Sequence, residues 1–117
     1  MDALELEERF IEFAVMITSL AENLNRSFAN DHLSKQIIRS GTSPALLYGE
    51  ARSAESKKDF IHKMSIALKE LRETYINLRI LKKRGVETQS LSIALSECNE
   101  LISIMVASLN TSKRYKN

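Results

Sequence analysis

Two histidines, His32 and His62, are the side chains of this 117-residue sequence best suited to metal binding or proton transfer. His62 lies close along the chain to Glu55 and Asp59, and these three could supply part of a metal site. One histidine with loosely spaced carboxylates falls far short of the ligand sets that proteins use. A solvated or capping histidine is therefore the favoured interpretation, and we predict no metal and no cofactor.

The single cysteine, Cys98, excludes an internal disulfide and a cysteine-based zinc site. It lies in the apolar stripe LSIALSECNELISIM, which favours a small buried core residue over a nucleophile. The sequence has neither the Glu-x-x-His motif of di-iron bundles nor a nucleophile elbow for its many serines and threonines. We therefore predict that the protein is not an enzyme.

The segment SGTSP, residues 40–44, could be a phosphate-binding loop, a hinge, or a tight spot between helices. A phosphate loop needs a preceding strand and a Gly-Lys-Ser/Thr pattern, and a hinge would have a more polar surround than IIRS and ALLYGEA. We predict a packing device in which Gly41 lets a neighbouring helix approach closely. Pro44 lacks an N–H and crowds the carbonyl of Ser40, which predicts a kink, while the hydroxyls of Thr42 and Ser43 can satisfy nearby carbonyls.

Four segments with apolar residues at three- and four-residue spacing must position these groups. They run from about residue 3 to 25, from near His32 through SGTSP, from about 57 to 84, and from near Thr88 onward. Three glycines and one proline are too few turn residues for a sheet. We predict an all-α fold, an antiparallel up-down four-helix bundle with the second helix kinked at Pro44, in a single domain over residues 1–117.

Polar residues with capping chemistry stand at the predicted helix ends. Asn30 or Asp31 is predicted to cap the second helix and Ser56 the third, because their side-chain oxygens can accept first-turn N–H groups. Gly85 follows three bases and is predicted to end the third helix in a left-handed conformation.

The net charge of +2 is unevenly distributed along the chain. Residues 1–38 contain seven acids and three bases, whereas residues 56–85 contain nine bases and three acids. Such asymmetry can serve an acidic partner such as RNA, or it can let an acidic first helix lie beside a basic third helix. The second interpretation is favoured.

Two runs of bases are the candidates for nucleic-acid binding, and Tyr115 is the aromatic residue interleaved with them. If they gather on one face of a ring, binding would be directed at the phosphate backbone and independent of sequence. The candidates are Lys82, Lys83, Arg84, Lys113, Arg114 and Lys116.

A second set of apolar residues lies away from the stripes assigned to the core. A monomer would expose them as an apolar patch, which predicts an oligomer interface, although a broad core face would account for some of them. They are Leu46, Leu47, Ile66, Ile76 and Ile80, with Ile93, Ile104 and Val106 on the fourth helix.

The N-terminal sequence MDALELEERF is acidic and lacks the order of a signal peptide. No apolar run approaches the ~20 residues that span a bilayer. We therefore predict a cytoplasmic protein that does not associate with membranes.

The sequence from Arg39 to Leu81 resembles the signature region of the four-helix-bundle proteins encoded by intervening sequences in bacterial 23S ribosomal RNA genes. The resemblance rests on residues 39–43 (RSGTS), 50–51 (EA), 57–60 (KKDF), and 69–70 with 73–74 (KE and ET). Pro44 departs from many relatives. The resemblance implies a ring-forming homo-oligomer, typically a pentamer, and similar bundles accompany reverse transcriptases of diversity-generating retroelements.

The family pattern concentrates in a set of charged residues on the second and third helices: Arg39, Glu50, Arg52, Glu70 and Glu73. A structural network that ties these two helices together is favoured over a ligand site.

Two functions of different class follow. The first is an oligomeric scaffold whose basic surface binds RNA or an RNA-handling partner. The second is a structural or protein-binding adaptor with no nucleic-acid role, in which the charges pair helices and subunits.

Overall fold

The computed structural model describes residues 1–114, which form four α-helices in an up-down arrangement. These are α1 (Ala3–Glu22), α2 (Phe28–Arg52), α3 (Lys57–Lys83) and α4 (Gln89–Arg114). Consecutive helices pack against each other and α4 closes the bundle against α1, the least extensive of the four contacts. The predicted all-α, up-down bundle is confirmed, with overall extents of 50 × 21 × 20 Å.

The relative positions of α1 and α3 overturn one expectation. Within residues 1–114 no Cα atom of α1 lies within 8 Å of one in α3, so the two helices are diagonal to each other in the bundle. The acidic helix therefore does not lie beside the basic one, because α2 and α4 separate them.

Side-chain caps define the helix starts. Asp2, Ser27, Ser56 and Thr88 each accept a hydrogen bond from the backbone N–H three residues ahead, at 2.8–3.2 Å. The predicted cap at Ser56 is confirmed, and so is the left-handed glycine after α3, since Gly85 has φ +100°.

The start of α2 was predicted wrongly. The helix begins at Phe28 and its cap is Ser27, not Asn30 or Asp31. The Asn30 side chain donates instead to the Asn25 carbonyl at 2.9 Å, and Asp31 pairs with Arg26 at 3.3 Å. Both residues lie inside the first turn, where a side chain cannot act as the cap.

The core is made of the stripes that periodicity indicated. Phe10, Phe13 and Ile17 of α1 are at most 1% exposed, and Phe10 packs its ring 5.3 Å from that of Tyr48 on α2. The buried residues of α3 and α4 belong to the same core: Met64, Ala67, Leu71, Leu78, Leu81, Leu91, Ala94, Cys98, Leu101, Met105 and Leu109.

Gly41 lies against Ile17 at a close approach of α2 to α1, as predicted. A β-carbon at Gly41 would lie 2.7 Å from Cγ2 and 3.0 Å from Cβ of Ile17. The α2 helix continues through the buried Pro44, and the hydroxyls of Thr42 and Ser43 donate to backbone carbonyls four residues earlier at 2.7 and 2.6 Å. A bend at Pro44 stays a prediction.

Among the described helices, α4 is long and apolar enough on average to cross a membrane, contrary to the expectation from the sequence. Six of its residues are nevertheless buried in the bundle, and Cys98, Leu101 and Met105 are fully so. Serine and glutamate residues occupy much of the opposite side. This is the pattern of an amphipathic core helix.

Candidate functional site

A polar seam joins α2 to α3. The Arg39 guanidinium lies 3.1 Å from Glu70 Oε2 and 3.0 Å from Glu73 Oε2. The buried hydroxyls of Ser40 and Thr74 are 2.9 Å apart, and Thr74 Oγ1 is 2.8 Å from the Glu70 carbonyl oxygen. The hydrogen bond with Glu73 and the charge of Glu70 raise the pKa of Arg39. These five residues therefore hold two helices together.

The other two members of the predicted network make different contacts. Glu50 lies 3.9 Å from Lys63 on α3, which extends the α2–α3 contact. Arg52 instead donates to Glu7 of α1 at 3.0 Å. Placing Arg52 in the α2–α3 network was wrong, because its position on α2 turns it toward α1.

An ion pair that sequence reasoning missed closes the bundle between α1 and α4. Arg9 binds Glu97 through two nitrogens at 2.6 and 3.1 Å and also lies 3.2 Å from Glu100. Its hydrogen bond with Glu97 raises the pKa of Arg9. Arg9 is the base of an otherwise acidic helix. This could have suggested from the sequence that it pairs with a carboxylate on another helix.

The bases of α3 are left largely without carboxylate partners by the diagonal placement of α1. Within the described chain, Lys63 is the α3 base that lies within 4 Å of a carboxylate. The positive charge of α3 is therefore directed at solvent.

The two predicted runs of bases lie at opposite ends of the bundle. Lys82, Lys83 and Arg84 are exposed where α3 ends and α4 begins. Lys113 and Arg114 end α4, whose 26 residues extend about 39 Å in the other direction. Tyr115 and Lys116 lie outside the described residues. Within one chain the described bases of the two runs do not form one face.

A basic groove of about 600 Å³ runs between α3 and α4. Three bases line its α3 side, Arg79, Lys82 and Lys83, together with the half-buried Tyr75. Leu95, Ser96 and Asn99 line the α4 side, so none of the described lining residues is acidic. Neither Tyr75 nor Arg79 is among the nucleic-acid-binding residues predicted from the sequence. The spacing of Tyr75, Arg79 and Lys82 at i, i+4 and i+7 could have shown that they share one side of α3.

A second groove, of about 620 Å³, lies between α2 and α3. It contains Lys69 and Arg72, but also Glu73 and the arginine that Glu73 binds, Arg39. Because part of its charge is already neutralised, this groove is less suited to anions than the one between α3 and α4.

The predicted interface residues differ in exposure. Leu46, Ile76 and Ile80 are 71%, 51% and 40% exposed. Leu47 and Ile66 are half-buried, and Leu47 packs against the core of the bundle. On α4, Ile93 is exposed while Ile104 packs against the core.

Sequence reasoning missed other exposed apolar residues. Leu4, Ile11 and Val15 on α1 are 65%, 45% and 60% exposed, and Phe28 at the start of α2 is almost fully exposed.

The residues first considered for catalysis lie apart from one another. His32 is exposed beside Gln36, 3.1 Å away, and His62 is exposed on α3. Across residues 1–114, no three His, Cys, Asp or Glu side chains form a possible metal site. Cys98 is a buried core residue, as predicted; its thiol donates to the Leu71 carbonyl at 3.3 Å, and burial raises its pKa to about 12.

Fold and site together define a four-helix bundle held by cross-helix polar contacts, with a basic groove on its surface. Over residues 2–108 the chain matches the family model of the 23S rRNA-intervening sequence proteins, and it belongs to that family. A solved structure from Bacteroides thetaiotaomicron, a protein of unknown function from the S23 ribosomal protein family, is similar throughout. It is 32% identical, with a TM-score of 0.82 over 94% of this chain and 99% of that one. The comparison with curated proteins found no match.

Proposed function

We propose that the protein is a non-catalytic helical-bundle scaffold that binds RNA in the groove between α3 and α4. The observation that carries the proposal is the convergence of Arg79, Lys82 and Lys83 with Tyr75 in a groove whose described lining contains no acid. A cytoplasmic location belongs to the same proposal.

The groove offers the groups that single-stranded RNA requires. Lysine and arginine neutralise phosphates, and an aromatic ring can stack on a base whatever its identity. The Asn99 amide can donate and accept hydrogen bonds at a base edge. Binding of this kind is strong at low salt and largely independent of sequence.

A mobility-shift titration with single-stranded RNA at two salt concentrations tests the proposal. Replacing Arg79, Lys82 and Lys83 with Gln removes three charges from the groove. Affinity at low salt should fall, and the log–log salt slope should become shallower by about 0.7 for each lost phosphate contact.

The matched control replaces Lys57, Lys58 and Lys113 with Gln. These residues lie at the other end of the bundle, and the change removes the same total charge. An equal loss of affinity in the control would point to general charge attraction and would contradict a site in the groove. RNA that fails to bind the parent protein at low salt would remove the proposal altogether.

The exposure of Ile76 and Ile80 favours a second function, that of a homo-oligomeric or protein-binding scaffold without a nucleic-acid role. The family resemblance makes a pentamer the expected state. Sedimentation at micromolar concentration tests it. A stable monomer would contradict self-assembly, and an oligomer that ignores RNA would support this second function.

A further inference from the structure

The outward surface of α1 combines apolar and acidic residues. Leu4, Ile11 and Val15 are spaced by seven and four residues, which puts them on one side of the helix, and each is at least 45% exposed. The neighbouring acids are also exposed: Glu5, Glu8, Glu12 and Glu22. Arg9, the base of this helix, is engaged by α4. We call this surface the α1 face.

The outward surface of α3 has the complementary composition. Ile76 and Ile80 are 51% and 40% exposed in its second half. The bases around them are exposed as well: Lys69, Arg72, Arg79 and Lys83. The nearest acid, Glu73, is held by Arg39. We call this surface the α3 face.

The diagonal arrangement of the two helices prevents these faces from meeting within one chain. Because α1 and α3 occupy opposite corners of the bundle, their outward surfaces point in opposite directions. The α1 face is apolar and negative, the α3 face apolar and positive, so a second copy of the chain offers each face its complement.

We infer that copies of this protein associate head to tail, with the α1 face of one docked on the α3 face of the next. This rests on the self-assembly candidate above and specifies its contact. Such an interface joins two different surfaces, so it generates rings or filaments, in contrast to a two-fold contact in which one surface meets itself. The groove proposed for RNA lies on the α4 side of α3 and borders the contact, because Arg79 and Lys83 belong to both surfaces.

The heights of the two faces restrict the assembly. The helices α1 and α3 run in the same direction, yet Leu4 to Val15 lie in the first part of α1 and Ile76 and Ile80 in the last part of α3. In a closed ring, rotation about the symmetry axis leaves the height along that axis unchanged. The two faces can therefore meet only if each chain is tilted relative to the axis, so that its α1 face and its α3 face lie at the same height. Untilted subunits would form a helical filament.

Two variants block one face each. Ile11→Lys with Val15→Lys blocks the α1 face, and Ile76→Glu with Ile80→Glu blocks the α3 face. Each variant should sediment as a monomer, with association at least about 100-fold weaker, because apolar contact is lost and like charges are brought together. In the mixed variants, the new lysines on the α1 face could pair with the new glutamates on the α3 face. A chain with all four changes is the control for such pairing and should also be monomeric. Circular dichroism checks that every variant is folded.

Mixing the two blocked variants gives the deciding measurement. Each retains the face that the other lacks, so a head-to-tail contact predicts a one-to-one complex and nothing larger. An α1-blocked variant that dimerises alone would show an α3-to-α3 contact and would overturn the inference. So would a mixture that stays monomeric while the parent assembles. A monomeric parent would overturn the self-assembly candidate too, whereas RNA binding is measured separately on the same variants.

Discussion

At the scale of single residues, Gly41 shows how a missing side chain sets the distance between helices. Ile17 approaches it with a branched carbon close to its own backbone, which cannot move aside as the end of a long side chain could. From sequence alone, Gly41→Ala could have gained helix propensity or produced a clash. The contact with Ile17 decides in favour of the clash.

We expect Gly41→Ala to lower the free energy of unfolding by about 1–3 kcal/mol through overpacking, and Gly41→Leu by more. Gly49→Ala is the control in the same helix. A β-carbon there meets no atom within 4 Å, so this change should gain up to about 1 kcal/mol of helix propensity. Urea denaturation of the three variants makes the comparison. Equal behaviour of the two alanine variants would contradict a close approach at Gly41.

Cys98 gives a second residue-scale prediction, about pH. Its folded pKa of about 12 lies above the value of about 8.5 for an unfolded thiol. The buried thiol therefore stabilises the fold fully below pH 8.5, and this contribution is lost as pH rises toward 12, since the unfolded chain releases the proton first.

Between pH 7 and pH 10 the parent should lose about 2 kcal/mol more stability than Cys98→Ala. The difference between the two proteins cancels the titration of other groups. The thiol should also resist alkylation at pH 8 until denaturant is added. Rapid labelling of the native protein would contradict a protonated, buried Cys98.

At the scale of helices, the bundle depends on polar contacts between residues far apart in sequence. The contact between α1 and α4 is the least extensive of the four, and Arg9 binds two carboxylates across it. Because the side chains of Arg9 and Glu97 are only 22% and 21% exposed, this pair is less screened by solvent than a surface ion pair.

A double-mutant cycle with Arg9→Gln and Glu97→Gln should give a coupling energy of about 1 kcal/mol. The exposed pair Arg26–Asp31 is the control, with a coupling near zero. Thermal or urea unfolding of each set supplies the energies. Identical couplings for the two pairs would show that Arg9 does not help to close the bundle.

At the scale of the whole molecule, the diagonal placement of α1 and α3 makes the charge asymmetry a property of the surface. Opposite charges on adjacent helices would form ion pairs with each other within the bundle. On diagonal helices they face solvent on opposite sides, where they can act on partners.

Replacing Lys69, Arg72 and Arg79 with Gln should therefore change the free energy of unfolding of the monomer by no more than about 0.5 kcal/mol. These bases have no carboxylate within 4 Å in the described chain. The measurement should be made on the α1-blocked variant, so that loss of assembly is not read as loss of folding. A loss of several kcal/mol would mean that the bases stabilise the single chain internally.

Local sequence was enough to predict the elements. Amphipathic spacing in Phe10, Phe13 and Ile17 indicated which side of α1 is buried, because side chains three and four residues apart share a helix face. Ser56 and Gly85 marked the ends of α3 for equally local reasons. Where several capping residues follow one another, as from Ser27 to Asp31, local chemistry allows more than one start, and the prediction failed.

The partners of each side chain were decided by the tertiary structure. Ser40 and Thr74 are 34 positions apart and Arg9 and Glu97 are 88 apart, distances over which helix periodicity carries no information. The same holds for Arg52, which could turn to either neighbour of α2, and for the groove that unites Tyr75 with Asn99. Periodicity specifies which face of a helix is apolar. Only the packing of all four helices decides which helices become its neighbours and which helix lies diagonally opposite.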